Sequence, residues 1–242
     1  MKKILIFLFI WTNFVYGADN EYLKKADKYF KEGKFSLAEI FYKKVIKSEP
    51  DSFKANLNLG KIYFYQDDFK KALKYLNTAN DIKSDLKTKF LIANTYVMLN
   101  KPEIAMTYYS NIIKSKPDYS DVYLNAGLVS FKKLYNKKLT IYFWENFLKL
   151  RPDDKQASNI RKALSYLKDP DFKLQPPAES VAAGGKQTSG TAGGTSSASA
   201  GTSGSSSSNV NPLDAIKIKG KDIISKSETR YKIKDKKMIT TD

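Results

Sequence analysis

The side chains that could carry chemistry in this chain are lysine, tyrosine, aspartate and glutamate. Its 242 residues include 42 Lys and Arg, 25 Asp and Glu and 16 Tyr, but neither Cys nor His. Disulfide frameworks, thiolate metal sites and cysteine nucleophiles are therefore excluded. The commonest general base and metal ligand is also missing. Catalysis by carboxylates would need a cleft with two acids whose surroundings push their pKa values apart. No motif marks such a pair, and the acids scatter at positions suited to solvated faces and caps. No enzyme activity, cofactor or metal is expected. What remains is binding, by amides, aromatics and lysines set along helical segments.

The elements that position these residues recur. In "NLGKIYFYQDDFKKALKYLNTAND", two apolar-striped segments flank a short polar break, and Gly60 sits inside the first. Small residues return at Ala26, Gly60, Ala93 and Gly127, and again at Ala38, Ala72 and Ala105, at spacings of 33 or 34 residues. Pro50, Pro117 and Pro152 close three of the four units, and the tract 82–86 lacks a proline and is one residue short. A fixed period of this length marks a stacked array. Within a unit the period is helical: Tyr22, Ala26, Tyr29 and Phe30 share one face, as do Leu59, Tyr63 and Phe64. Tyr29, Tyr63, Tyr96, Phe41 and Phe147 are expected as packing residues. Gly60 and Ala93 would let two helices approach closely, with Tyr42, Leu76, Tyr109 or Trp144 filling the space opposite. Gly60→Leu should then overpack, at about 1–3 kcal/mol.

Break chemistry separates the helices. Gly33 suits a left-handed helix end, and Ser36 with Glu39 forms a capping-box pattern. Asn100 and Pro102 give a residue tolerant of positive φ and then a proline in the first turn. Asp51, Ser120 and Asp153 are expected N-caps.

Together these marks resemble the tetratricopeptide repeat family over about residues 19–152. The resemblance implies an all-α fold, a superhelical solenoid of four helical hairpins. The repeats would span about 19–52, 53–85, 86–118 and 119–153, and a capping helix 154–168 would complete a domain of residues 18–169. The fourth unit departs from the family pattern, with Ser130 in place of an aromatic, Thr140 in place of Ala, and an extra residue in its turn. In this family the first helix of each hairpin lines a concave groove that holds a partner's peptide segment. Carried over, the groove would use Lys61, Tyr65, Asn94, Met98, Asn125, Phe131 and Lys132, flanked by Leu23, Asp27, Phe30, Lys54, Asn58, Phe64 and Lys87. Asn94 and Asn125 match an asparagine pair with which some members hold a C-terminal carboxylate, and Lys155 could add a cation. Phe90 and Asn159 stand where that clamp needs basic residues, so the clamp is incomplete, and the resemblance implies ordinary groove-facing amides.

The ends differ from the array. Lys2 and Lys3 precede the apolar run Ile4 to Trp11, and Val15 and Gly17 are placed for cleavage before Ala18. This is the pattern of a secretory signal peptide over residues 1–17, with an uncleaved membrane anchor as the alternative. After Pro170 the chain becomes rich in Gly, Ser, Ala and Thr, and residues 170–210 are expected as a flexible linker. Residues 211–242 are basic, with nine Lys or Arg against five acids, and they alternate around Ile216, Ile218, Tyr231 and Ile233. Such a tethered segment could add a strand to a partner's sheet edge, lie on an anionic surface, or remain a solvated tail. No nucleic acid is expected as a partner despite the net charge of +17, because the lysines spread over every helix without a nucleic-acid motif. The expectation is an exported adaptor or assembly factor of a bacterial envelope, in the periplasm, that binds another protein. A membrane-held periplasmic scaffold is the alternative, and a carboxylate-based envelope enzyme has no motif behind it.

Overall fold

A computed structural model describes residues 21–175. The expected signal peptide, most of the linker and the basic C-terminal segment lie outside the described residues. Nine α-helices and no strand occur among the described residues: α1 (21–31), α2 (Phe35–Ser48), α3 (Phe53–Tyr65), α4 (Phe69–Ile82), α5 (Leu86–Met98), α6 (Pro102–Ser115), α7 (Ser120–Lys132), α8 (Lys137–Leu150) and α9 (Ala157–Lys168). Successive helices pack on one another along the chain, α3 on α4, α5 on α6 and α7 on α8 most extensively. The result is a stacked array of helical hairpins in which a single hairpin could not bury its own apolar face. None of the described helices is long and apolar enough to cross a membrane.

Each hairpin turn is set by one residue with a positive φ: Gly33 (74°), Asp67 (63°), Asn100 (56°) and Tyr135 (49°). In the first three turns the next residue's N–H reaches back five residues. Lys34 donates to Tyr29 O, Asp68 to Tyr63 O and Lys101 to Tyr96 O, each at 2.9 Å. This is the helix-ending pattern that satisfies carbonyls left over by the last turn. In the fourth turn Asn136 N reaches Ser130 O at 2.8 Å, one residue further. The inserted residue is thus absorbed in the turn, and α7 and α8 pair as the other hairpins do.

The helix starts correct several expectations. Lys34 rather than Ser36 is the N-cap of α2, with no side-chain cap bond, so the capping box does not form. Glu39 is drawn away instead: its Oε1 accepts from Tyr63 Oη and from Lys43 Nζ, both at 2.7 Å. Asp51, Ser120 and Asp153 do not cap; the N-cap positions are Ser52, Tyr119 and Gln156. The side chains that do cap are Asp68, Asp85 and Asn136, which accept from the backbone N–H of Lys71, Thr88 and Leu139. Pro102 occupies the first turn of α6 as expected.

The small residues mark the closest helix approaches. A Cβ added to Gly60 would stand 2.6 Å from Leu76 Cγ, and one added to Gly127 would collide with the Trp144 indole. Tyr42, Leu76, Tyr109 and Trp144 are all completely buried. On the outer side of the first three hairpins two rings stack: Tyr29 on Phe41 at 5.5 Å, Tyr63 on Tyr75 at 5.4 Å and Tyr96 on Tyr108 at 5.8 Å. Ser130 takes the place of the first ring in the fourth hairpin. Tyr142 accordingly keeps 52% of its surface exposed. Thr140, where the small Ala is usual, is buried and donates its Oγ1 to Asn136 O at 2.8 Å.

Candidate peptide-binding groove

Helix registers locate the hollow. Gly127 faces Trp144 on α8, and successive helical residues turn by about 100°. Leu128 is therefore turned away from α8. Asn125, two residues before Gly127, points further round and donates from Nδ2 to Asn94 Oδ1 on α5 at 3.1 Å. The side of α7 around these directions carries Asp121, Leu124, Leu128 and Lys132. The same register places Lys87, Phe90, Asn94 and Met98 on α5, and Lys54, Leu57, Lys61 and Tyr65 on α3. Lys54, Lys87 and Asp121 begin these stripes, Tyr65, Met98 and Lys132 end them, and Lys61 stands within the first.

The residues expected at the groove divide into two sets. Lys61, Tyr65 and Met98 are half-buried and Lys132 is exposed. Tyr65 stacks on Phe35 at 5.3 Å, and Met98 packs with Phe64 and Tyr65 in one apolar cluster. By contrast Asn94, Asn125 and Phe131 lie below the surface, at 0%, 2% and 7% exposure. Phe131 tilts against Trp144 at 5.5 Å. Of the flanking residues, Asn58 and Phe64 are also buried, Leu23, Asp27 and Phe30 are half-buried, and Lys54 and Lys87 are exposed.

The asparagines belong to a polar cluster that the sequence reading did not foresee. Tyr109 Oη donates to Asn94 Oδ1 at 2.6 Å, so this one oxygen accepts from both Tyr109 and Asn125. Burial pushes the Tyr109 hydroxyl far above its usual pKa and keeps it a neutral donor. Two units earlier the same positions repeat the arrangement. Tyr42 Oη donates to Asp27 Oδ1 at 2.8 Å and accepts from Asn58 Nδ2 at 2.7 Å. Burial, and then the Asp27 carboxylate, raise the Tyr42 pKa in the same direction. Here the acceptor is charged, and Lys54 Nζ balances it at 2.5 Å from Asp27 Oδ2. At the position equivalent to Lys54, the other cluster has Asp121, and its acceptor Asn94 is neutral. Tyrosine thus links three consecutive helices at alternate interfaces, and Leu76 fills the corresponding place between them. A signal was present: Asp27, Tyr42 and Asn58 recur as Asn94, Tyr109 and Asn125 at twice the repeat period.

No group of His, Cys, Asp or Glu among the described residues could hold a metal ion. The chemistry the hollow offers is apolar contact at half-buried Tyr65 and Met98 beside Lys54, Lys61, Lys87 and Lys132.

The comparisons with known proteins agree with this architecture. A family model for the tetratricopeptide repeat matches residues 22–52 and 53–86. At its first two hairpins the array matches the tetratricopeptide repeat. The third and fourth hairpins continue its register and turn chemistry. Among solved structures, the MamA protein is similar at 20% identity and a TM-score of 0.54, covering 62% of this chain and 87% of that one. An O-GlcNAc transferase of Thermobaculum terrenum is similar at 16% identity and a TM-score of 0.50, covering 56% of this chain and 26% of the transferase. A chain of the APC/C hetero-tetramer Cut9–Hcn1 is similar at 18% identity and a TM-score of 0.52, covering 59% and 29%. At such identities these likenesses speak for the fold alone. No curated protein matches the sequence.

Proposed function

We propose that this chain is an exported adaptor or assembly factor of a bacterial envelope, and that it binds a protein partner through the concave groove. The repeat array supports a protein-interaction module. The observation that carries the finer reading is the floor of the hollow. Tyr65 and Met98 lie half-buried beside Lys61, and Lys132 stands exposed on the rim. This half-buried apolar surface suits a peptide segment with apolar side chains. The lysine rim favours a segment that is neutral or acidic. Export is supported by the Lys2–Lys3 and Ile4 to Trp11 pattern. The tethered basic segment 211–242 would give a second contact, which raises effective concentration without new chemistry. The membrane-held scaffold differs only in keeping residues 1–17.

Crosslinking pull-down from the native envelope tests this reading. Three baits are compared: the intact chain, the chain ending at Asp169, and Lys61→Glu with Met98→Ala. Asn94 is left alone because it is buried structure. A protein lost from the double variant and kept by the truncation supports groove binding. A protein lost only on truncation makes residues 211–242 the recognition element. Equal background from all three refutes the partner-binding role. Intact-mass measurement of the mature protein tells a cleaved leader from a retained anchor.

A further inference from the structure

The sequence uses arginine sparingly: Arg151, Arg161 and Arg230 stand against 39 lysines. The two within the described residues, Arg151 and Arg161, both lie where α8 gives way to α9. An open groove of about 600 Å³ runs between these helices. Leu148 and Leu164 form its floor, and its walls carry Lys149, Arg161 and Lys168. One acid, Glu145, faces these three cations. Its Oε1 is already held by Lys168 Nζ at 2.7 Å. Arg161 Nη2 donates to Pro152 O at 2.7 Å. That bond fixes the guanidinium and leaves its other N–H groups for an incoming oxygen, with a planar fork that a lysine lacks. The chain beyond α9 turns away from the groove. Lys137 Nζ, at the start of α8, donates to Asp169 O at 2.7 Å and to Phe172 O at 2.9 Å. Residues 169–172 are thereby drawn to the far end of α8.

We propose that this groove is a docking site for an acidic amphipathic helix of a partner protein, separate from the hollow lined by α3, α5 and α7. Charge complementarity selects the occupant. Three cations facing one acid that is already paired call for carboxylates. The Lys168–Glu145 pair is exposed, and such pairs contribute little to stability, so Lys168 can share its donors with a second carboxylate at small cost. A second copy of this chain, with a net charge of +17, is repelled. Spacing selects the form. Arg161 and Lys168 are seven residues apart, which is two helical turns and about 10 Å along the axis. Leu164 lies between them on the same side of α9, three residues after one and four before the other. The complementary helix therefore carries two acids seven residues apart with an apolar residue between them. Laid between α8 and α9, it sets one acid against Arg161 and Lys149 and the other against Lys168. Its apolar residue then covers Leu148 and Leu164.

The test uses the purified full chain and a fluorescein-labelled, alanine-rich helical peptide with two glutamates seven residues apart and a leucine between them. Fluorescence anisotropy reads the affinity. Arg161→Glu with Lys149→Glu should weaken binding by about tenfold or more. Arg161→Lys, which keeps the charge and loses the fork, should weaken it by about threefold. Lys61→Glu in the hollow should leave it within about twofold of the parent. Lys149 and Arg161 are exposed, so circular dichroism of the variants should match the parent. If the double variant loses its helix signal, Arg161→Gln alone decides in its place. Amide resonances of Leu148 and Ser165 should shift on titration with peptide, and those of Lys61 and Met98 should stay. Equal affinity for the same peptide with glutamines in place of the glutamates would overturn the acidic class. Equal loss in Lys61→Glu and in the Arg161/Lys149 variant would overturn the site. Tighter binding to phosphatidylglycerol vesicles, lost in that same variant, would overturn it in favour of an anionic membrane. No binding at about 1 mM peptide would overturn it outright.

Discussion

Replacing Gly60 by alanine separates a packed glycine from an ordinary helical one by the sign of its effect. At a solvated site inside a helix, Gly→Ala stabilises by about 0.8–1 kcal/mol, because glycine loses more backbone freedom on folding. At Gly60 the added methyl would stand 2.6 and 2.7 Å from Leu76 Cγ and Cδ2 and 3.2 Å from the Leu76 backbone nitrogen. Leu76 is completely buried, so its side chain has no free direction in which to retreat. Overpacking of this kind costs about 1–3 kcal/mol. The net expectation is a loss of about 1 kcal/mol, opposite in sign to the solvated case. Leu76→Ala alone should cost about 2–5 kcal/mol by leaving a cavity. In that background the methyl of Gly60→Ala has room, and the same substitution should stabilise by about 0.5–1 kcal/mol. The coupling between the two sites is then about 1.5–2 kcal/mol, large for a contact pair. Urea denaturation of the four proteins, followed by circular dichroism and by fluorescence, measures it. Coincidence of the two probes is needed because repeat arrays can lose all-or-none behaviour. If Gly60→Ala stabilises the parent by about 1 kcal/mol, or acts equally in both backgrounds, the close-approach argument is wrong.

Three further outcomes are expected. Ser130→Ala should stabilise by about 0.5–1 kcal/mol in the same urea assay. Ser130 Oγ is buried without a hydrogen-bond partner, and an unsatisfied buried hydroxyl is a net cost; a loss of stability would mean that the hydroxyl has a role here. Asn94→Asp should destabilise by about 1–3 kcal/mol at pH 7, because it buries a carboxylate with no cation in the position that Lys54 holds for Asp27. Burial raises the folded-state pKa of such a group, so its penalty should shrink as pH falls towards about 4; equal cost for Asp27→Asn and Asn94→Asp would refute the charge-balance account. The alkaline limb should be steep. Tyr42, Tyr63, Tyr108, Tyr109 and Tyr123 all have raised pKa values, burial being the first cause for each. Their contribution is whole below the unfolded value of about 10 and is lost as pH rises beyond it. Tyr42 and Tyr109, completely buried, can each add up to about 1.4 kcal/mol per pH unit to the slope there, and the other three add less. Tyr109→Phe should flatten that limb in denaturation series between pH 9 and 11, and an unchanged slope would show that Tyr109 ionises freely in the fold.

The repeat period, the helical stripes and the close-approach residues were legible in the sequence because each is local or strictly periodic. Gly60, Ala93 and Gly127 announced the array by recurrence alone, and Tyr42, Leu76, Tyr109 and Trp144 followed as the residues that fill the gaps. Gly33 and Asn100 marked their turns because their residue types tolerate positive φ. Tyr135 takes the same conformation with no such preference, imposed by the need to return α8 onto α7 across a turn lengthened by one residue. The helix starts were misplaced for a related reason. Ser36 and Glu39 have capping-box spacing, but Glu39 gains more from Tyr63 and Lys43 once α3 is packed alongside. The fate of the asparagines was a matter for tertiary structure alone. Side chains from three helices, far apart in sequence, must converge before Asn94 Oδ1 can accept from both Tyr109 and Asn125. Periodicity determines which face of a helix a residue occupies. Only the packing of neighbouring helices decides whether that face is groove surface or buried polar core.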